Sequence, residues 1–281
     1  MLQIRPMATN DIDFALELTS GEGWSDIRSD FISLISYPKT ASFVMIDDNE
    51  RIGMISAVKY NQIGFIGSFI VKREYRKKGY GTKLFDYAID HLRNGGVELI
   101  LLDAVVEAKR FYEEKGFKPI FHSHRFRGTI KGEASDYCRS MKEKDLQKIL
   151  EIDKVCFGDD RSHFLIELFR DHPQLAYVLE NSENEIIGFV FASKRREYSR
   201  VGPLCIIDQE NLARDLLLAV PLHNDVIETR IGVPGYNKHA LSLFHELRIP
   251  EEEGSIRMGL GNIHSLFRHP GQYAIGSPAK G

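Results

Sequence analysis

Cysteine and tryptophan are scarce in this 281-residue chain, and neither sign of charge is in large excess. The three cysteines, Cys138, Cys156 and Cys205, are odd in number, far apart and without a C-x-x-C pair. That pattern excludes a disulfide framework or zinc knuckle and points to a reducing cytoplasm. The formal net charge is only -3, so the chain lacks the broad positive field of a protein that grips nucleic acid. Long apolar runs are missing too. The opening Met1-Leu2-Gln3-Ile4-Arg5-Pro6 has no apolar core for a signal peptide, and no later run is long enough for a bilayer. The expectation is a cytoplasmic protein, monomer or homodimer, with neither nucleic acid nor membrane as partner.

What is present is enough apolar material, 43% of residues, for packed cores, in a length that suits two domains better than one. Period-2 and period-3.6 patterns predict a strand at 2–5 and helices after Asp11 and over 26–35. A strand meander at 42–46, 52–59 and 64–72 follows, then a helix at 80–92, a strand at 97–102, a helix at 107–115 and a strand at 117–121. The expected fold is a mixed α/β sheet with one central crossover.

The order then starts again. Arg139, Met141 and Asp145 repeat the spacing of Arg5, Met7 and Asp11, and Ile186-Ile187-Gly188 echoes Arg51-Ile52-Gly53. The second half continues with strands at 201–207 and 226–231 and helices at 212–218 and 237–247. A repeat as long as a domain means two tandem domains and not a solenoid, with divisions expected at 1–130 and 131–281.

Arg76-Lys77-Lys78-Gly79-Tyr80-Gly81-Thr82 stands between an apolar strand and an amphipathic helix. Glycine lets the backbone approach a ligand, and the N–H groups and dipole of a helix start favour anionic oxygen, so the segment suits a diphosphate. A plain solvated turn with outward lysines would use similar residues. Two other phosphate loops fail on spacing. The dinucleotide fingerprint needs a glycine where Leu84 stands, and the nucleoside-triphosphate loop needs Gly-Lys-Ser/Thr where the chain has Gly81-Thr82-Lys83.

With this R-x-x-G-x-G loop, and with Ala108-Lys109-Arg110-Phe111-Tyr112-Glu113-Glu114-Lys115-Gly116-Phe117 downstream, the chain resembles the GNAT superfamily of acetyl-CoA-dependent N-acetyltransferases. The resemblance covers about 1–121 and, more faintly, the second half. It implies two tandem GNAT-like domains, the first catalytic and the second degenerate and completing the acceptor pocket. It further implies coenzyme A, with acetyl-CoA as donor, bound by the main chain of Phe69, Ile70 and Val71 along the pantetheine and by the loop from Arg76 through Lys77, Lys78, Gly79, Tyr80 and Gly81 to Thr82 at the diphosphate. By the same resemblance, Tyr112 would be the general acid toward the departing thiolate. The acceptor would be a small-molecule primary amine. A non-catalytic acyl-CoA sensor and a protein acceptor are the alternatives.

An amine arrives as an ammonium of pKa ~10 and must lose a proton before it attacks a thioester. Glu22, Asp26, Asp103 and Glu107 are candidate acceptors of that proton, Glu22 first, each of which could equally be a solvated or capping carboxylate. Trp24 could wall the acceptor site or anchor its loop, and Asp103 would line the same cleft. His122 and His124 share a strand face without local carboxylates or cysteines, so no metal site is expected. In the second half, Gln209-Glu210-Asn211-Leu212-Ala213-Arg214 has no glycine, and Phe244 stands at the place of Tyr112, so coenzyme A is not expected there.

Overall fold

The computed structural model describes residues 1–223, 228–263 and 268–281. By contacts the chain forms two compact units. One comprises Met1–Asp103, Gly259–Ile263 and Pro278–Lys280; the other comprises Ala104–Met258, His264–Ser277 and Gly281.

In the first unit, β1 (Gln3–Pro6), β2 (Thr40–Asp47), β3 (Glu50–Lys59) and β4 (Ile63–Val71) pair antiparallel in chain order, and β5 (Leu99–Ala104) joins β4 in parallel. A parallel pair needs a crossover, here α3 (Tyr80–Asn94). Its apolar stripe Leu84, Phe85, Ala88, Ile89 and Leu92 is buried, and Gly96 at φ 81° ends it. The sheet also carries α1 (Ile12–Gly21) and α2 (Arg28–Ser36). Side chains alternate along β4, which assigns its faces. Gly64 points at Leu92 and Val97, so Gly67, an odd number of residues on, points away from α3. At Ser68 the backbone takes φ 46° within a bulge, and Phe69 returns to the α3 side against Phe85, with ring centroids 5.5 Å apart.

The second unit begins with α4 (Lys109–Glu114) and β6 (Lys118–Gly128). Then come β7 (Cys138–Ser140), α5 (Leu146–Phe157), α6 (Ser162–Asp171), β8 (Ala176–Glu180), β9 (Ile186–Lys194) and β10 (Ser199–Ile206). It closes with α7 (Ala213–Ala219), β11 (Thr229–Pro234), α8 (Lys238–Glu246), β12 (Glu251–Gly261, through Met258 in this unit) and β13 (Gln272–Ala274). β7 to β10 pair antiparallel in chain order and β10 pairs β11 in parallel, the arrangement of β1 to β5 over again. The strand expected at 226–231 is observed from Thr229, and Val226 and Ile227 lie outside the described residues. The next neighbour of β11 is β6, which precedes the repeat junction, and β12 follows beyond it.

The spacing shared by the two halves has a physical basis. Arg5 grips Asp11 through two hydrogen bonds of 2.6 and 2.8 Å, and Arg139 grips Asp145 through two of 2.6 and 3.1 Å. Both aspartates are buried and also accept a backbone N–H, from Ala8 and Lys142 respectively. The shared glycine is explained as well: a Cβ on Gly53 would lie 2.9 Å from the Ile70 carbonyl oxygen, and one on Gly188 the same distance from that of Cys205. Among the described residues no helix is long and apolar enough to cross a membrane.

Candidate active site

The first unit's site is built on the end of β4. Pairing with β5 runs only from Ile63↔Leu99 to Ile66↔Leu102, while pairing with β3 continues to Val71. From Gly67 onward β4 therefore departs from its parallel neighbour and opens one main-chain edge. Ile70 and Val71 are buried and Phe69 is half-buried, so their side chains pack the core while that edge carries the main chain.

After β4 a single turn, Arg73–Tyr75, leads into the basic loop. Lys77 has φ 62° and Gly79 φ 81°, both in the left-handed region. Gly79 suits this without cost because it has no Cβ. The first intrahelical bond of α3 runs from the Lys83 N–H to the Gly79 carbonyl. The N–H groups of Tyr80, Gly81 and Thr82 thus belong to the first turn, which has no intrahelical acceptors. Lys77 and Lys78 are exposed, with the Lys78 ammonium 5.5 Å from the Tyr75 ring centroid. Gly81 faces the Phe69 ring, where a Cβ would make an ordinary 3.4 Å contact.

Side chains around the loop fix its shape. Arg76 donates from Nε to the Val71 carbonyl at 2.8 Å and from Nη2 to Glu22 Oε1 at 2.5 Å. Arg73 Nε lies 3.7 Å from the same Glu22 oxygen. Glu22, first candidate for the base, is therefore placed in the charge network of the loop. Tyr80 donates its hydroxyl to Asp47 at 2.6 Å, a bond that raises the Tyr80 pKa. Tyr75 donates to Glu50 at 2.8 Å, and that bond pushes its pKa up to about 12. Trp24 is half-buried and its backbone N–H donates to the Thr19 carbonyl at 2.8 Å, which ties the α1–α2 connection to α1. Asp103 stands half-buried near the end of β5.

In the second unit, Tyr112 lies on α4, buried, with ring centroids 5.3 Å from Phe111 and 6.2 Å from Phe117. Burial raises its pKa, so the phenol stays protonated. Phe244 is fully buried and stacked on Phe126 at 5.1 Å, and the Gln209–Arg214 segment leads into an α7 of only seven residues. His124 Nδ1 sits 2.6 Å from Glu251 Oε1, a strand-to-strand partner that no local sequence window displays. Among the described residues no group of three or more His, Cys, Asp or Glu is arranged to hold a metal.

A sheet edge opened beside a basic loop at a helix start, repeated as a fold but not in its loop chemistry, defines two mixed α/β units of one plan, the first with a loop suited to an anionic ligand. Known proteins agree. The model of the acetyltransferase (GNAT) family matches residues 11–117, and that of an acetyltransferase (GNAT) domain matches residues 149–272. The chain belongs to the GNAT acetyltransferase family and carries two such domains in tandem.

A similar sequence is the uncharacterized N-acetyltransferase YitH of Bacillus subtilis (strain 168), 23% identical over 194 residues that cover 67% of each chain. Over 84 residues, 27% of this chain and 56% of the other, it is 32% identical to N-alpha-acetyltransferase 30 of Schizosaccharomyces pombe. Among solved structures it is similar to a Pyrococcus horikoshii protein provisionally described as an acetyltransferase, with TM-score 0.82 and 27% identity over 100% of this chain and 96% of that one. A tandem GNAT protein from the clavulanic acid biosynthesis pathway shares the fold at TM-score 0.66 and 11% identity, covering 93% of this chain and 98% of that one.

Proposed function

We propose that the protein transfers an acetyl group from acetyl-CoA to the primary amine of a small molecule, directly and without a covalent acyl-enzyme. The observation that carries this reading is the joining of the open β4 edge to the glycine-permitted start of α3. One element offers main-chain groups to a chain of amides, and the other offers N–H groups and charge to a diphosphate. Acetyl-CoA, the family's donor, supplies the activated thioester. These residues suit it: Phe69 to Val71 for the pantetheine amides, and Arg76 to Thr82 for the diphosphate.

Within this reading Lys77 and Lys78 add mobile charge at the phosphates, while Arg76 braces the loop through Val71 and Glu22. Glu22 is hydrogen-bonded to the Arg76 guanidinium that also holds the Val71 carbonyl, so it acts by positioning Arg76. Asp103 and Trp24 face the acceptor. Tyr112, kept protonated by burial, hands its proton to the leaving sulfur. Residues 1–130 form the catalytic domain. Residues 131–281 form a degenerate one, because its turn lacks glycine and Phe244 has no hydroxyl to donate.

The test has two parts, both in solution. Calorimetric titration with coenzyme A should give one site per chain, and free-thiol release from acetyl-CoA across amines, amino acids, polyamines and peptides should find an acceptor. Binding without turnover on any amine would leave an acyl-CoA sensor. Turnover confined to peptide N-termini would make the acceptor a protein.

A further inference from the structure

Pro278–Lys280 packs within the first unit, far in sequence from what it touches there. Ala279 fills the space in front of Gly67, where a Cβ would meet the Ala279 Cα and carbonyl oxygen at 2.5 Å. The Lys280 carbonyl accepts a hydrogen bond from the buried Tyr60 hydroxyl. The Lys280 ammonium donates to Ser33 Oγ at 2.9 Å and stands 3.7 Å from Asp30 Oδ1. The Lys280 and Asp30 side chains are only 12% and 13% exposed. Burying an ammonium is costly unless it is paired and hydrogen-bonded. α2 thus presents a carboxylate and a hydroxyl set to take one primary ammonium out of water.

This place lies on the face from which an acceptor must come. Gly67 is the first β4 residue beyond the last pair with β5. If the diphosphate sits at the loop and the pantetheine along Phe69 to Val71, the thioester end lies toward Gly67. The α3 face of β4 is closed there, by Phe85 against Phe69 and by Leu92 and Val97 against Gly64. An amine therefore approaches from the opposite face, toward which Gly67 points and on which Ala279 and α2 lie.

We infer that Asp30 and Ser33 form an ammonium subsite on the acceptor face, and that Lys280, by occupying it, is a specificity-determining residue that excludes acceptors with a second cationic nitrogen. The inference deepens the transfer reading and rests on it for the direction of approach. Lys280 satisfies the carboxylate that would otherwise hold the distal end of a diamine, so the intact protein favours acceptors with one amine.

Calorimetry with 1,4-diaminobutane as probe, coenzyme A present, decides it. Lys280→Ala should bind the probe at least tenfold more tightly than the unsubstituted protein. Adding Asp30→Asn should remove the gain, since the amide keeps the acceptor for the Ile27 N–H at 3.0 Å but not the charge. Equal affinity with and without Lys280→Ala, or a gain that survives Asp30→Asn, overturns the inference. If Lys280→Ala does not melt cooperatively, Lys280→Met, which keeps the apolar stem, replaces it under the same criteria. Thiol release is measured separately. A protein that turns over no amine sinks the transfer reading, while the binding contrast still decides the subsite.

Discussion

The Arg76 guanidinium holds the Glu22 carboxylate at 2.5 Å while its Nε bonds the last carbonyl of β4, so one side chain links the α1–α2 connection to the start of the basic loop. The pair is partly exposed, with Arg76 41% and Glu22 27% accessible, and such bridges are worth about 1 kcal/mol or less. Glu22→Ala should therefore raise the KM for acetyl-CoA about fivefold and leave kcat nearly unchanged. Steady-state kinetics at saturating amine separate this from a base: loss of a proton acceptor would collapse kcat and spare KM.

The two loop glycines should fail differently. Gly79 has φ 81°, which costs a residue with a Cβ about 1–2 kcal/mol, so Gly79→Ala should lower the melting temperature as well as coenzyme A affinity. Gly81 is helical and a Cβ there makes only an ordinary 3.4 Å contact with Phe69, so Gly81→Ala should melt no lower than the parent. Its coenzyme A affinity should nonetheless fall at least tenfold if backbone approaches the phosphates there. Thermal melts paired with calorimetry read both effects.

These glycines were legible because the loop, its strand and its helix are contiguous. Arg5 with Asp11 and Arg139 with Asp145 were legible for a related reason: a six-residue spacing that recurs is visible in sequence, and a local ion pair enforces it. What the chain does not display is choice between equivalent partners. β6 and β12 occupy corresponding places in the two halves, and local pattern cannot tell which of them β11 will pair; it pairs β6. Glu22 read as a candidate base because nothing local announces Arg76, 54 residues away. Lys280 read as nothing, since its partners Asp30 and Ser33 are more than two hundred residues distant and only tertiary packing brings them together.

Tyr112 makes a prediction about pH. A general acid works only while protonated, and burial holds this phenol above its ordinary pKa of ~10. The kcat profile should therefore show no alkaline fall before the ordinary tyrosine range is passed, and any rise on the acid side belongs to deprotonation of the amine. Tyr112→Phe should lower kcat about a hundredfold with coenzyme A affinity intact. An equal loss of affinity would mark Tyr112 as packing alone, as its contacts with Phe111 and Phe117 would also permit.

Asp11 sets the acid stability of the first unit. Burial works to raise its pKa, but hydrogen bonds from Arg5, the Ala8 N–H and Arg51 outweigh it and pull the group from 3.8 to about 2. A carboxylate with a depressed folded pKa contributes stability that is complete above the unfolded value and is lost as pH falls through the folded one. The shift corresponds to about 2 kcal/mol, present at neutral pH and fading from just below pH 4 to about pH 2. Asp11→Asn should cost about that much at pH 7, and the gap from the parent should close as pH nears 2. Trp24, the single tryptophan, lies in the first unit, so its fluorescence in urea follows unfolding of that unit. A gap that stays constant from pH 7 to 2 would mean that packing around Asp11, and not its charge, holds β1 to the start of α1.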